Sequence, residues 1–128
     1  MRALLIKSEY IVKILDGKKT WEIRGSRTNI RGTIGLIRSG SSEVVGVCDV
    51  VDCIGPLTEK QFRANARKAG MKSSEAEIGH YNRTFAWVLA NPRSLKLPVL
   101  YKNPSGAVIW VKLGAQAGRS VRKAGLRT

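Results

Sequence analysis

The chain has 128 residues, most simply one domain, and its 43% hydrophobic residues can fill a real core. Its 23 Lys plus Arg against 9 Asp plus Glu give a formal charge of +14, a self-repelling surplus that points to a polyanionic partner: RNA, a nucleotide, or DNA. No apolar run reaches the roughly 18 residues of a membrane span, no signal-peptide order opens the chain, and Cys48, Cys53 and His80 assemble no zinc pattern, so no metal or cofactor is called for.

Residues 3–6 are a short apolar start that predicts a strand. Ser8 can cap the helix that follows, with Glu9 favourably placed against its dipole, and Tyr10, Ile11, Ile14 and Leu15 recur at helical spacing. Gly17 ends this helix as its C-cap. An alternating run then begins, Lys19-Thr20-Trp21-Glu22-Ile23-Arg24. Alternate side chains of a strand face opposite ways, so Trp21 and Ile23 are expected in the core and Thr20, Glu22 and Arg24 in a polar row. Lys19 is expected at the mouth, where a long side chain can swing either way. A carboxylate flanked by a lysine and arginines can orient cationic donors for a phosphate or base edge, or serve as half of an acid–base pair. An exposed edge face of paired surface charges has the same pattern.

Residues 25–32 read as a loop in which Arg27 and Arg31 join Arg24 in a cationic patch. A strand over 33–37 and a Gly/Ser turn over 38–43 predict a hairpin. The β-branched run 44–51 places Val45, Val47, Asp49 and Val51 on one face and Val44, Cys48 and Val50 on the other, as in a barrel strand with a covered exterior. Cys48 and Cys53 in this apolar stretch read as buried reduced thiols, which suits a cytoplasmic protein. Thr58 and Gln61 have capping-box spacing, Leu57 and Phe62 that of a hydrophobic staple, and a helix over 59–69 should stop at Gly70 with Arg63, Arg67 and Lys68 exposed. A second box, Ser74 to Glu77, starts a short helix towards Tyr81. Residues 84–90 form a strand with Phe85, Trp87 and Leu89 facing one way, broken at Pro92; residues 94–101 form another, weakened by Pro98 and so at an edge. Asn103-Pro104-Ser105-Gly106 is a turn before a last strand over 107–113. Residues 114–128, with Arg119, Arg122, Lys123 and Arg127 and no acid, read as a flexible basic tail. Tyr10, Trp21, Trp87 and Trp110 read first as core aromatics and second as stacking platforms for a base; Tyr81 and Tyr101 stand nearer polar stretches. His80 reads as a loop or helix-end residue, and Ser105 as an ordinary turn residue whose hydroxyl could meet an anion.

The spacing Gly-x-Lys-x-x-Glu-x-Arg, here Gly17, Lys19, Glu22 and Arg24, resembles the signature of the ASCH domain family. The runs Trp87 to Leu89 and Gly106 to Trp110 resemble that family's last strands. The resemblance implies an α+β fold: a PUA-like, mostly antiparallel β-barrel of about five to seven strands with helices covering its openings, over residues 1–113, followed by the tail 114–128. With the charge, it makes the best reading an RNA- or nucleotide-binding protein of RNA metabolism, its cationic cleft lined by Lys19, Glu22, Arg24 and Arg27; the clustered charge of the loop and tail adds Arg31, Arg119, Arg122 and Lys123 as further nucleic-acid contacts. An alternative is a small hydrolase using Lys19 and Glu22, either a ribonuclease or an amidohydrolase on an acetylated cytidine-type nucleoside, with Glu75 or Glu77 as its later glutamate. The amidohydrolase pattern has a threonine three residues after the lysine, where this chain has Glu22. A third reading is a protein-interaction or co-regulator module.

Overall fold

Alternating runs become strands and helically spaced stretches become helices in the computed structural model, which describes residues 1–78, 82–102 and 109–125. In chain order the elements are β1 (Arg2–Ile6), α1 (Ser8–Leu15), β2 (Trp21–Arg24), β3 (Gly32–Arg38), β4 (Glu43–Ile54), α2 (Glu59–Ala64), a 3-10 turn (Ser73–Glu75), β5 (Phe85–Leu100), β6 (Trp110–Lys112) and α3 (Ala115–Gly125). The strands form one six-stranded sheet in the order β2-β5-β4-β3-β1-β6. β1 and β3 pair in parallel; the other pairs are antiparallel. The sheet is curled so that side chains from its two ends meet. Arg24 on β2 donates to the Leu5 carbonyl on β1 at 2.9 Å, and Trp87 on β5 stacks on Trp110 on β6. This is the expected α+β barrel-like fold.

Both faces of the rolled sheet are covered. Leu4, Ile34, Leu36, Phe85 and Trp87 fill the interior, closed by Ile11 and Ile14 of α1. Ala3, Ile37, Val47 and Val111 pack beneath Val121 of α3. Trp21 and Ala86 pack beneath Leu57 and Phe62, the staple residues of α2. The capping box forms as the spacing predicts: Gln61 N–H donates to Thr58 Oγ1 at 3.1 Å and Thr58 N–H to Gln61 Oε1 at 2.8 Å.

Several expectations need correction. α1 starts on Ser8 itself; Lys7 holds the N-cap position and no side chain caps it. Gly17 lies one residue past the Asp16 C-cap, at φ +79, a left-handed conformation that favours glycine. α2 stops at Ala64, because Asn65 leaves helical geometry (φ −118) and donates from its side chain to the Gln61 carbonyl at 2.8 Å; turns continue to Gly70. The later short helix is one 3-10 turn in which Glu75, not Glu77, receives a backbone bond, from Lys72 N–H at 2.9 Å. β4 does not alternate strictly. Register shifts against β5 send Val45, Cys48, Val50 and Cys53 inward and Val44 and Val47 under α3. Pro92 does not break β5: Asn91 bends it at φ +52, and β4 pairs with it on both sides of the bend. β2 pairs with β5 from Phe85 to Val88, and Leu89 N–H still bonds the Thr20 carbonyl; beyond that, among the described residues, β5 has a strand partner on one side alone, the setting that tolerates Pro92 and Pro98. The expected flexible tail is a helix over Ala115–Gly125. Ala117, Val121 and Ala124, scattered in sequence, fall on one helical stripe that packs against the sheet, with Val121 fully buried. His80, Tyr81, the expected turn at 103–106 with Ser105, residues 107–108 and Arg127 lie outside the described residues. Among the described residues no helix is long and apolar enough to cross a membrane.

Candidate nucleic-acid interface

The motif is held by the ends of two helical segments. Past Gly17, the N–H groups of Lys18 and Lys19 return to the Lys13 carbonyl at 2.9 and 3.0 Å, and those of Thr20 and Trp21 bond the Lys68 carbonyl after α2 at 2.8 and 2.9 Å. Lys19 is thereby trapped between α1 and the turn after α2. Its Nζ donates to the carbonyls of Ala69 (2.6 Å) and Trp21 (2.7 Å), lies 3.6 Å from Glu22 Oε1, and sits 4.9 Å from the Tyr10 ring centre. Lys13 Nζ donates to the Gly70 carbonyl at 2.7 Å, so two lysines satisfy carbonyls that the turn leaves open. Burial pushes the Lys19 ammonium below the usual lysine range; Glu22 opposes this, while Lys13 and Arg24 add to it. Lys19 is 3% exposed and Glu22 5% exposed, which overturns the open mouth expected for Lys19 and the exposed edge face that the same pattern allows. The parity was right, since Trp21 and Ile23 pack together in the cluster beneath α2. Exposure failed because the opposite face of β2 is closed by Arg24, Leu5 and the turn carbonyls.

Arg24 begins in this buried network and ends at the seam. Its Nε and Nη2 donate to Glu22 Oε2 at 3.2 and 2.8 Å, and Nη2 also donates to the Leu5 carbonyl. Its guanidinium lies 5.6 Å from the Trp87 ring centre, with 19% of the side chain exposed. Arg27 repeats the arrangement three residues later. It is exposed, donates to the Gly55 carbonyl at 2.8 Å, and sits 5.1 Å from the Phe85 ring. Phe85 and Trp87 share one face of β5. Two guanidiniums are thus each laid on an aromatic ring, one behind the other, an arrangement that holds planar donors in place for phosphate oxygens or a base edge. Trp87, itself buried, is fixed by its Nε1–H to the Ser26 carbonyl (2.8 Å) and stacks on half-buried Trp110 at 5.6 Å and 13°. A side chain at Gly55 would lie 2.7 Å from Phe85, so the close approach that anchors Arg27 needs glycine.

The other candidates are not gathered here. Arg31 is exposed but turns back on its own loop, donating to the carbonyls of Thr28 (3.0 Å) and Ile30 (2.8 Å). Glu75 and Glu77 are exposed on either side of buried Ala76, and the charges that act on Lys19 are those of Glu22, Lys13 and Arg24. Arg119, Arg122 and Lys123 are exposed on α3. Sequence reading missed Lys13, the ring platforms beneath the arginines, and Asp49. Lys13 could have been signalled by its place in the last turn of α1, and the platforms by the shared parity of Phe85 and Trp87. Asp49 accepts from Asn91 Nδ2 (2.9 Å) and Thr33 Oγ1 (2.8 Å) and lies 3.8 Å from Arg93, but nothing in its local sequence marks it. Cys48 is buried, and burial pushes its thiol up to about 12, so it is inert as a nucleophile; both cysteines are free. Among the described residues no group of His, Cys, Asp and Glu is placed to hold a metal ion.

The family model for the ASCH domain matches residues 4–99. Among solved structures, the ASCH protein of Zymomonas mobilis is similar at a TM-score of 0.74 and 13% identity, over 95% of this chain and 93% of that one. A tyrosine-to-phenylalanine variant of the Zymomonas protein is similar at 0.72 and 14% identity, over 95% and 96%. A serine-to-alanine variant gives the same score and identity over 95% and 94%. At that identity the likeness establishes the fold alone. No curated protein matches in sequence.

Proposed function

The chain belongs to the ASCH domain family, and from that membership we propose that it binds RNA or a nucleotide, in RNA metabolism, through the Arg24–Arg27 strip at the barrel seam. The observation that carries this reading is the pair of guanidiniums planted on Trp87 and Phe85. Lys19 and Glu22 support the strip rather than touch the ligand: Glu22 aims Arg24, and Lys19 ties Glu22 to the turn after α2. The geometry favours binding over hydrolysis through Lys19, whose ammonium is buried and directed at two carbonyls and a carboxylate.

The test is fluorescence anisotropy of labelled single-stranded RNA, single-stranded DNA and a nucleoside monophosphate against the wild type and an Arg24→Gln/Arg27→Gln variant, across a salt series. The variant should lose affinity several-fold, and its slope of log affinity against log salt should shrink by about 1.4, two phosphates at about 0.7 each. RNA affinity unchanged by the double substitution would overturn the assignment. Mass analysis of the same RNA after incubation, with and without divalent metal, separates a binder from a nuclease.

A further inference from the structure

β6 is an edge strand whose free side floors a groove. Leu5 N–H donates to the Ile109 carbonyl and Leu113 N–H to the Met1 carbonyl. In an antiparallel pair this pattern turns the backbone groups of 109, 111 and 113 towards β1 and those of Trp110 and Lys112 to the opposite edge. Along that edge runs a groove of about 1120 Å³, walled by the distal end of β5 and the first turns of α3, with Tyr101, Lys102, Trp110, Lys112, Gln116 and Ser120 among its lining.

The charge around it is one-sided. From Ile78 to the end the chain has nine Lys and Arg and no Asp or Glu, and the floor and both walls come from that stretch. The acid that strand pairing brings to this end is Glu43, cross-strand from Leu100. Arg2 and Lys112 are directly cross-strand and both exposed, a like-charge placement that is unfavourable unless an anion joins it. On α3, Gln116, Ser120 and Lys123 follow one another at i, i+4 and i+7, so the groove-side stripe ends in a further cation.

We propose that this groove is a binding track for single-stranded RNA, continuous with the seam through the Trp87–Trp110 stack. Bases lie against Trp110 and meet the outward-turned backbone groups of Trp110 and Lys112; phosphates meet Lys102, Lys112, Arg2 and Lys123. The strand must be single, because only unpaired bases can stack on a side chain or offer their edges to an open β-edge. The inference rests on the RNA-binding reading and extends it to a second surface. An extended acidic peptide could also add to the β6 edge, but an acid-free wall with a like-charge pair fits regularly spaced phosphates better.

The experiment titrates the full chain with an oligouridylate and follows tryptophan emission together with anisotropy. Trp21 and Trp87 are 5% and 2% exposed, whereas Trp110 is half-buried, so quenching reports Trp110. Wild type should be quenched, and Trp110→Phe should bind with most of the quenching gone. Lys102→Gln/Lys112→Gln, two exposed positions whose fold is checked by circular dichroism, should weaken binding about fivefold and shrink the salt slope by about 1.4. If wild type binds RNA but the lysine variant binds equally well at the same slope, the groove is not the track, and the Arg24–Arg27 reading stands untouched. If wild type binds no RNA, the functional reading itself falls. If an acidic peptide binds instead and the lysine variant loses it, the groove is a peptide site and the proposal is overturned.

Discussion

Two of the Lys19 ammonium hydrogens are donated to protein carbonyls and a carboxylate oxygen lies 3.6 Å away, and this decides what the residue can do. A lysine free to act as a base needs an approachable lone pair; this one holds together the end of α1, the turn after α2 and the first residue of β2. Replacing one member of a buried ion pair leaves its partner uncompensated, at about 3 to 5 kcal/mol. Lys19→Ala should fall near the lower end, because Glu22 keeps Arg24 while the Ala69 and Trp21 carbonyls lose their donor. Urea unfolding measures this directly. A change below about 0.5 kcal/mol, the usual effect of a surface substitution, would place Lys19 among ordinary surface lysines instead. The motif was therefore legible as a site of chemistry, and its parity as a strand, but not its burial. Alternation says which side chains share a face; whether that face is covered depends on Leu5 and Ala69, partners far away in sequence.

The bend in β5 shows the same division at the scale of elements. Asn91 adopts φ +52 and its amide reaches Asp49, which Thr33 also bonds. The Asn91 bond, then the Thr33 bond and the nearby Arg93 charge, hold the Asp49 carboxyl below its ordinary value despite some desolvation. A folded-state value below the unfolded value of about 3.9 means that stability from this carboxylate is complete above that pH and is lost as pH falls through the folded value. Asp49→Asn should therefore flatten the acid limb of the stability curve, and Asn91→Gly, which keeps the bend but removes the amide, should flatten part of it. Asn91→Ala should be less stable than Asn91→Gly by about 1 kcal/mol, the left-handed penalty of a side chain. Equal stabilities would mean that the bend relaxes on substitution. Signals contained in a few neighbouring residues could be read directly: the Thr58–Gln61 box, the Leu57–Phe62 staple and the Gly17 stop. The β4 bulges, the continuity of β5 through Pro92 and the helix α3 could not, because each depends on a distant partner. Ala117, Val121 and Ala124 make a sparse stripe that becomes a helix face only when Val111 and Ile37 lie beneath it.

For the whole molecule, the +14 charge offers two explanations of any RNA binding, and they predict different dependence on length. A uniformly basic surface keeps adding contacts as the strand grows, so the salt slope keeps steepening. A bounded track does not. If RNA runs from Arg27 and Arg24 past Trp110 to Lys112, Lys102, Arg2 and Lys123, about six phosphates are engaged, and the slope should level off near −4.2 at about 0.7 per phosphate. Measured against oligouridylates of increasing length, the slope should therefore steepen from the mononucleotide, reach that plateau and stay there, while longer strands gain affinity only through the number of ways they can seat. The Arg24→Gln/Arg27→Gln and Lys102→Gln/Lys112→Gln variants should each lower the plateau without removing it. A slope that continues to steepen with every added nucleotide would identify general coating of a cationic surface, and a slope already complete with the mononucleotide would confine binding to a single pocket.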